Sequence, residues 1–484
     1  MVFSSIAFLF FFLPATLLLF YAANERLRFG ILLLASLFFY FYGENYLILV
    51  MLATTVIDYF CGLMIAGGGR QLPEGGARSR AQRAWLLVSV VSNLALLGYF
   101  KYFNFFTQNL IEILRALNLG HLRLDSFVHV ALPLGISFYT FQSMSYTIDV
   151  YRGHVAANRN LLKFSTFVTM FPQLVAGPIV RYADIEKQLL APRETTAQFA
   201  EGVRRFLGGL AKKVLIANPM AEVADKIFAL PSGEMSTGIA WVGLLAYTLQ
   251  IYFDFSGYSC MAIGLGKMFG FDFPENFNFP YIARSVRDFW HRWHITLSTW
   301  FRDYVYFPLG GSRGSEFQTW RNLLIVFFTC GLWHGASWNF VIWGLFHGLF
   351  ISLERTKFAS VLSGLPALFR HAYLLLAVMF GWVFFRCETA SEAMVYLHRL
   401  LIFRVSEIHS IAGFLTPDVI FIMVCGLVFS MPVAPWMRSR IENLRGAPKA
   451  VSELLWMASL FALFLLSVAS LTSGSYNPFI YFRF

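Results

Sequence analysis

Two stretches, one flanked by strongly apolar sequence and one within it, contain histidines where a polar side chain is costly to bury. The first is FWHRWHITLSTW, residues 289–300, in which His294 is followed by three hydroxyl side chains. The second is GLWHGASWNF, residues 331–340, which contains His334. An imidazole titrates near neutral pH and can remove a proton from a hydroxyl group. Ionisable side chains within a membrane segment indicate a functional site, so His294 and His334 are candidates for acid–base chemistry.

A structural interpretation stays open for each histidine. On a helix, His291 and His294 would share one face, and neighbouring arginines and tryptophans would anchor this helix near the cytoplasmic surface. His334 lies within one apolar run, 322–350, which predicts a single span, and it could simply bond a neighbouring helix. The glycines Gly331 and Gly335 would let a ligand or another backbone approach closely.

Other polar residues in apolar segments predict packing contacts more than chemistry. Asp254 lies in QIYFDFSGYSC, where hydroxyl groups of neighbouring residues could hydrogen-bond its carboxylate and join helices. His291, His294 and His334 could together bind a metal ion, but no carboxylate or cysteine spacing supports a site. We therefore predict no metal.

The composition defines the class of protein around these residues. The chain has 484 residues, of which 57% are hydrophobic and 13% charged. Soluble domains carry about 25% charged residues, so this chain is predicted to be a polytopic protein of the lipid bilayer. The net charge is +11, and the basic residues lie in short predicted loops. The preference of cytoplasmic loops for Lys and Arg explains this excess without nucleic-acid binding. The five cysteines form no CxxC motif, so neither a disulfide framework nor a zinc ribbon is expected.

Segments of about 20 apolar residues predict the spans. The candidates are 3–23, 29–43, 46–66, 85–107, 128–150, 214–230, 237–268, 322–350, 371–386, 417–433 and 451–472. Pro172, Gly177 and Pro178 interrupt segment 160–178, which is consistent with a re-entrant segment. The loop arginines predict that the N-terminus lies outside the cytoplasm, with segment 109–127 on the same side. Residues 1–484 are expected to form a single membrane-embedded domain.

Several longer segments follow one another in an order that covers nearly the whole chain, among them LPLGISFYTFQSMSYTIDVYRG, FPQLVAGPIVR, QIYFDFSGYSCMAIGLG, GLWHGASWNFVIWGLFHG and NPFIYFRF. These segments resemble the membrane-bound O-acyltransferase family, in particular its bacterial alginate O-acetylation branch. The resemblance implies an all-α polytopic fold, a ring of about 11 tilted transmembrane helices plus re-entrant or interfacial helices around a central tunnel. It also implies that His334, in the WHG motif, is catalytic and that His294 is the second site histidine. The chain departs from the family pattern at His291 and Cys260.

The resemblance further implies the reaction. The expected function is transfer of an acetyl group from a cytoplasmic thioester across the bacterial inner membrane, for O-acetylation of an exported polysaccharide of the alginate or cellulose type. Acetyl-CoA would be the donor substrate, no tightly bound cofactor is expected, and periplasmic SGNH-type acetyltransferase or accessory subunits would be partners. His334 would act as the general base, and His294 would position the donor or stabilise the oxyanion. Arg302 or Lys267 could meet the CoA phosphates, but no donor-binding residue is assigned.

Three alternatives remain open at this stage. A D-alanyl transferase would use a carrier-protein thioester and modify teichoic acid. A transporter would move an intact acyl donor without making a bond, and buried polar groups and broken helices would suit it too. A pure conduit has little need of a base at His334, which favours an enzyme. A scaffold without chemistry is the third alternative.

Overall fold

The computed structural model describes residues 1–68, 71–118, 130–192, 194–474 and 476–480, and these residues form helices and no strands. Their contacts define two compact units. Unit 1 comprises Met1–Phe199 with Gly266–Pro274, and unit 2 comprises Ala200–Leu265 with Glu275–Phe484. The prediction of one domain over residues 1–484 stays a prediction.

The helices of unit 1 begin and end at residues suited to those positions. Ser79 caps the helix Arg80–Leu97 by accepting from the backbone of Gln82, whose side chain bonds back to Ser79. Gly67 takes a left-handed conformation (φ +59°) just after Ile48–Ala66. The helical segments of unit 1 are Phe8–Phe12, Leu13–Ala22, Glu25–Glu44, Asn45–Leu47, Ile48–Ala66, Arg80–Leu97, Gly98–Tyr102, Phe103–Ala116, Ile136–Arg152, Leu161–Thr169, Phe171–Leu174 and Tyr182–Leu190.

A buried carboxylate joins three helices of unit 1. Asp58 is fully buried and accepts hydrogen bonds from Ser89 Oγ at 2.6 Å, from Asn93 Nδ2 at 2.8 Å and from Ser143 Oγ. The donors lie on the helices Arg80–Leu97 and Ile136–Arg152, and both of these helices pack against Ile48–Ala66, the helix of Asp58. Because a buried carboxylate is costly without partners, these bonds define how the three helices meet.

Unit 2 contains the two candidate histidines. Two of its helices, Thr196–Ala211 and Thr237–Met268, also contribute residues to unit 1. The other helical segments of unit 2 are Lys212–Ala217, Asn218–Phe228, Pro280–Ile282, Val286–Arg292, Ile295–Phe301, Arg302–Tyr306, Glu316–His334, Trp338–Leu353, Phe358–Gly364, Ala367–Arg386, Ala390–Leu401, Ile411–Gly413, Pro417–Phe429, Val433–Glu442 and Gly446–Thr472.

Two long helices of unit 2 have opposite surroundings. The most apolar window of Thr237–Met268 is 78% buried inside the protein, whereas that of Gly446–Thr472 is 6% buried. Exposed leucines and phenylalanines along Gly446–Thr472 are compatible with a lipid environment, in which apolar side chains need no protein cover. The first helix therefore belongs to the interior that holds the site, and the second forms the outside of the unit.

The length and apolarity of the helices support a multi-pass membrane protein. Five helices in the described parts of the chain are long and apolar enough to cross a bilayer, and six if the bent pair Pro417–Phe429 and Val433–Glu442 is one span. The count of about 11 spans and the orientation of the N-terminus stay predictions. Segment 109–127 lies partly outside the described residues, and so does the end of NPFIYFRF.

The prediction of a single span over 322–350 is wrong. The chain forms two helices there, Glu316–His334 and Trp338–Leu353, which pack against each other. Gly335 and Ser337 adopt extended backbone between them. Segment 160–178 is also broken, with Met170 joining the helices Leu161–Thr169 and Phe171–Leu174, and it is largely buried. Its re-entrant character stays a prediction.

Candidate active site: two buried histidines beside an aromatic cavity

His334 is held at the turn between two tightly packed helices. It is the last residue of Glu316–His334, and only 4% of it is exposed. The two helices meet at glycines, since a Cβ atom on Gly331 would lie 2.3 Å from the carbonyl oxygen of Phe340, and one on Gly344 would lie 2.2 Å from that of Phe327. The sequence predicted that glycine would admit another backbone here, and the structure confirms this close approach.

His294 lies in a strained turn and not on a regular helix. Its backbone has φ +45°, between the helices Val286–Arg292 and Ile295–Phe301. A non-glycine residue in this region is uncommon and often marks a functional position. The predicted helical face shared by His291 and His294 is therefore wrong: the helix ends at Arg292, so His291 is exposed while His294 is completely buried.

Asn276 determines how the His294 ring is oriented and protonated. Its Oδ1 atom is 3.0 Å from His294 Nδ1 and accepts hydrogen bonds from the backbone N–H and the hydroxyl of Thr296. Its Nδ2 atom donates to Ser259 Oγ at 3.1 Å. Since Oδ1 can only accept, Nδ1 of His294 must carry the proton and donate it. Burial lowers the pKa of the His294 imidazole below its ordinary value, which favours the neutral ring.

The remaining ring nitrogen of His294 is available to a ligand. With Nδ1 protonated in a neutral ring, Nε2 carries a lone pair and can only accept a hydrogen bond. Nε2 is buried and has no hydrogen-bond partner among the described residues. A buried acceptor left unpaired is costly, so this atom is suited to a donor group brought in by substrate or water.

The two histidines lie close together without contacting each other directly. Their ring centroids are 6.4 Å apart, and both rings contact Trp333, at 6.0 Å from His294 and 4.9 Å from His334. This separation is too long for a hydrogen bond between the rings. The two imidazoles are therefore neighbours that share Trp333 as a common contact.

A small cavity opens beside His334. Its volume is about 10 Å³, close to the room that one water molecule needs. We call it the His334 cavity. Its walls are formed by Ile251, Phe255, Trp293, His334, Trp343, Trp382, Phe385 and Ile480. Apolar walls exclude water, and polar interactions within such a site are stronger than in water. His294 is not among these wall residues, but its ring lies 4.7 Å from that of Phe255, which is one of them.

Asp254 makes structural contacts, as the sequence predicted, but with different partners. The Lys213 ammonium is 2.7 Å from its Oδ1 atom, and the backbone N–H of Ile480 donates to its Oδ2 atom at 2.8 Å. Its nearby hydroxyl groups do not supply these bonds: Ser259 bonds Asn276 instead, and Ser256 Oγ has no partner among the described residues. The expected partners were close in sequence, whereas the real ones are distant.

Four residues of this site carried no sequence signal that identified them. Asn276 stands in ENFNFP between polar and aromatic neighbours, Lys213 in the helical segment Lys212–Ala217, and Ile480 in NPFIYFRF. His347 stands in WGLFHG, and it is fully buried with neither ring nitrogen bonded among the described residues. A polar residue in an apolar run is the one signal that could have drawn attention to His347, and nothing comparable marks Asn276, Lys213 or Ile480.

The residues considered for phosphate binding are each paired with a carboxylate. In unit 2, Arg302 bonds its neighbour Asp303 at 2.8 Å. In unit 1, Lys267 bonds Asp272 at 2.7 Å. The donor-binding residues therefore remain unassigned. No group of three or more histidine, cysteine, aspartate or glutamate side chains that could hold a metal ion occurs within the described ranges.

The helical fold and the long apolar helices define a polytopic membrane protein, and the buried histidines give it a candidate acid–base site. Residues 153–397, which include both histidines, match the family model described as "MBOAT, membrane-bound O-acyltransferase family". The chain belongs to the membrane-bound O-acyltransferase family, and it is an O-acyltransferase.

Three relatives illustrate the range of this similarity. The chain is 41% identical to a "probable alginate O-acetylase AlgI" of Azotobacter vinelandii, over 100% of both chains. It is 36% identical to a peptidoglycan O-acetyltransferase of Helicobacter pylori, over 82% of this chain and 79% of the relative. It is 27% identical to a teichoic acid D-alanyltransferase of Bacillus subtilis, over 45% of this chain and 58% of the relative.

Proposed function

We propose that this protein takes an acetyl group from acetyl-CoA at the cytoplasmic face of a bacterial inner membrane and transfers it for O-acetylation of an exported polysaccharide. Full-length similarity to relatives named as alginate O-acetylases, and similarity to a peptidoglycan O-acetyltransferase, supports both the acetyl group and the polysaccharide. The observation that carries the proposal is that His334 forms part of the wall of a small aromatic cavity.

The size of the His334 cavity supports a short acyl group. At about 10 Å³, it has room for about one water molecule, so any acyl group must displace part of the aromatic wall, and a longer acyl chain must displace more of it. Trp343 and Trp382 in these walls are almost completely buried, so displacing them would disturb the core of unit 2. An acetyl group requires the smallest rearrangement among the common acyl groups.

His334 acts as the general base in this proposal. It takes the proton of the acceptor hydroxyl, the hydroxyl oxygen attacks the thioester carbonyl carbon, and the carbon–sulfur bond breaks. The departing thiolate then takes the proton from the imidazolium, which leaves an acetyl ester and free CoA. An alcohol has a pKa far above 7, so a base within hydrogen-bond reach contributes about 10²–10⁴-fold to the rate.

His294 positions the donor in this proposal. Its unpaired Nε2 atom can accept a hydrogen bond, and the pantetheine arm next to a CoA thioester carries amide N–H groups that can donate one. The alternative role, stabilising the oxyanion, would require a proton on Nε2. The bond from Nδ1–H to Asn276 disfavours that tautomer, so positioning is the better supported of the two roles.

The remaining parts of the proposal concern location and partners. The N-terminus lies in the periplasm, and periplasmic SGNH-type acetyltransferase or accessory subunits carry the acetyl group to the polymer. The distribution of basic residues supports the orientation, and the similarity to polysaccharide-modifying relatives supports the polymer. Alginate and cellulose are the candidate polymers.

The test uses the purified full-length protein in detergent micelles, with acetyl-CoA and a hydroxyl acceptor such as an oligosaccharide. Released CoA is measured with a thiol reagent and acetyl transfer with a labelled acetyl group. We expect His334→Ala to reduce turnover by about 10²–10⁴-fold. The control is His398→Ala, because His398 is exposed on the helix Ala390–Leu401 and lies outside the walls of the His334 cavity. Wild-type turnover by folded His334→Ala protein would refute the assignment.

The same assay separates the rival functions. A D-alanyl transferase would leave acetyl-CoA intact and consume a charged carrier protein. A transporter reconstituted in vesicles would move the donor across the bilayer and release no free CoA. Release of CoA together with labelled acceptor supports the acetyltransferase over both.

A further inference from the structure

Residues Tyr476–Ile480, which we call the tail segment, reach the wall of the His334 cavity from a distant part of the sequence. Ile480 lines this cavity together with His334, although 146 positions separate them in the sequence. Ile480 is 4% exposed and Phe479 is 7% exposed, so these two residues are buried, whereas Tyr476 at the other end of the segment is 46% exposed. The tail segment therefore helps to determine the space available beside His334.

A buried ion pair holds the end of the tail segment. Lys213 and Asp254 are 2.7 Å apart, with side chains 3% and 2% exposed. The backbone N–H of Ile480 donates to Asp254 at 2.8 Å, and Lys213 donates to the backbone carbonyl of Pro478. Burying two charges costs several kcal/mol per ion, and only further hydrogen bonds make the pair tolerable. Here those further bonds go to the tail segment.

Contacts along the rest of the segment fix its path. Tyr476 Oη donates to Asp225 at 2.7 Å, and Arg386 bonds the same carboxylate at 2.6 Å. The ring of Phe479 packs against that of Tyr258 with centroids 4.7 Å apart. With both ends held, the Ile480 side chain has a defined place in the cavity wall.

We propose that Ile480 is a specificity-determining residue that limits the acyl group to a short one, and that Lys213 and Asp254 are the positioning residues that hold it there. This inference rests on the proposed function, because it takes the His334 cavity as the place where the acyl group lies. A branched side chain with little freedom at χ1 makes a rigid wall. Removal of part of this wall makes room for additional methylene groups on the acyl chain.

The experiment measures kcat/KM for acetyl-, propionyl- and butyryl-CoA, by CoA release from the purified full chain. Ile480→Ala removes three carbon atoms from the wall, and we expect the propionyl-to-acetyl ratio to rise by about 10-fold or more, the usual effect of one methylene in a pocket. Ile480→Val, which is less disruptive, should raise the ratio to a smaller degree. The matched control is Ile239→Ala, since Ile239 is fully buried in unit 2 but lies outside the wall.

The positioning residues are tested with the same ratio, which does not depend on how much protein is folded. Lys213→Met combined with Asp254→Leu replaces the ion pair by apolar groups and removes the acceptor for the Ile480 N–H. We expect this double variant to shift the ratio in the same direction as Ile480→Ala. Lys213→Met alone leaves a buried charge and should lower the yield of folded protein.

The outcomes distinguish the inference from the proposed function. If wild-type protein releases CoA from acetyl-CoA but Ile480→Ala and Ile480→Val both keep the wild-type ratio, the inference is refuted and the proposed function stands. If wild-type protein releases CoA from none of the three donors, the proposed function fails and the inference fails with it. A ratio that rises equally in Ile239→Ala would also refute a specific role for Ile480.

Discussion

A single methyl group added at Gly331 should disturb the packing of two helices and thereby reduce catalysis. A Cβ atom there would lie 2.3 Å from the carbonyl oxygen of Phe340, and real Cβ atoms essentially never approach closer than 3.0 Å. In Gly331→Ala the two helices must therefore separate by about 0.7 Å, because backbone on both sides leaves no flexible side chain to yield. His334 lies three residues further along the same helix and must move with it.

The magnitude follows from this displacement. A misplacement of about 1 Å in a catalytic geometry can cost about 10²-fold, so we expect kcat for CoA release to fall by roughly 10-fold to 100-fold. The overpacking should also cost about 1–3 kcal/mol of stability. Thermal unfolding in detergent, measured beside turnover, separates the two effects.

Gly208→Ala is the matched control for this substitution. Gly208 is also helical, in Thr196–Ala211, but a Cβ atom there would meet nothing within 4 Å. Alanine is the better helix former by about 0.5–1 kcal/mol, so this variant should be slightly more stable and fully active. Folded Gly331→Ala protein with the wild-type kcat would refute the claim that the glycine contact positions His334.

Two further predictions concern the other buried polar residues. Asn276→Asp places a carboxylate 3.0 Å from His294 Nδ1, which should raise the pKa of His294. Because the ring must be neutral for Nε2 to accept, the acid limb of the pH profile of kcat/KM for CoA release should move to higher pH. An unchanged acid limb would contradict the role of Nε2. His347→Leu removes two ring nitrogens that are unbonded among the described residues. The thermal stability of the variant should therefore equal or exceed that of the wild type, and its rate of CoA release should stay near the wild-type rate. A large loss of turnover in folded protein would mean that His347 takes part in the reaction.

The class of protein could be predicted from the sequence, because it follows from local patterns, whereas the roles of His294 and His334 stay predictions. An apolar composition defines a membrane protein, and the span predicted over 237–268 coincides with the observed helix Thr237–Met268. Asp254 was also recognised as a packing residue. In each case the signal lies within one stretch of the chain.

The features that could not be predicted depend on contacts between distant segments. The run 322–350 is apolar throughout, and the break after His334 arises where Gly331 and Gly344 let two helices meet, which periodicity cannot reveal. The backbone of His294 has φ +45°, and a histidine in the sequence does not by itself predict this conformation. Similarly, nothing local connects Lys213 to Pro478 and Ile480.

The central claim is that the acyl carbon reacts beside His334. The most direct measurement is an experimental structure of the protein in a lipid bilayer with a non-hydrolysable analogue of acetyl-CoA. The account predicts that the analogue's acyl carbonyl group enters the His334 cavity, with the attacking position about 3–3.5 Å from the carbonyl carbon and within hydrogen-bond reach of the His334 ring. An analogue whose acyl group binds elsewhere, with the His334 ring packed out of its reach, would contradict it.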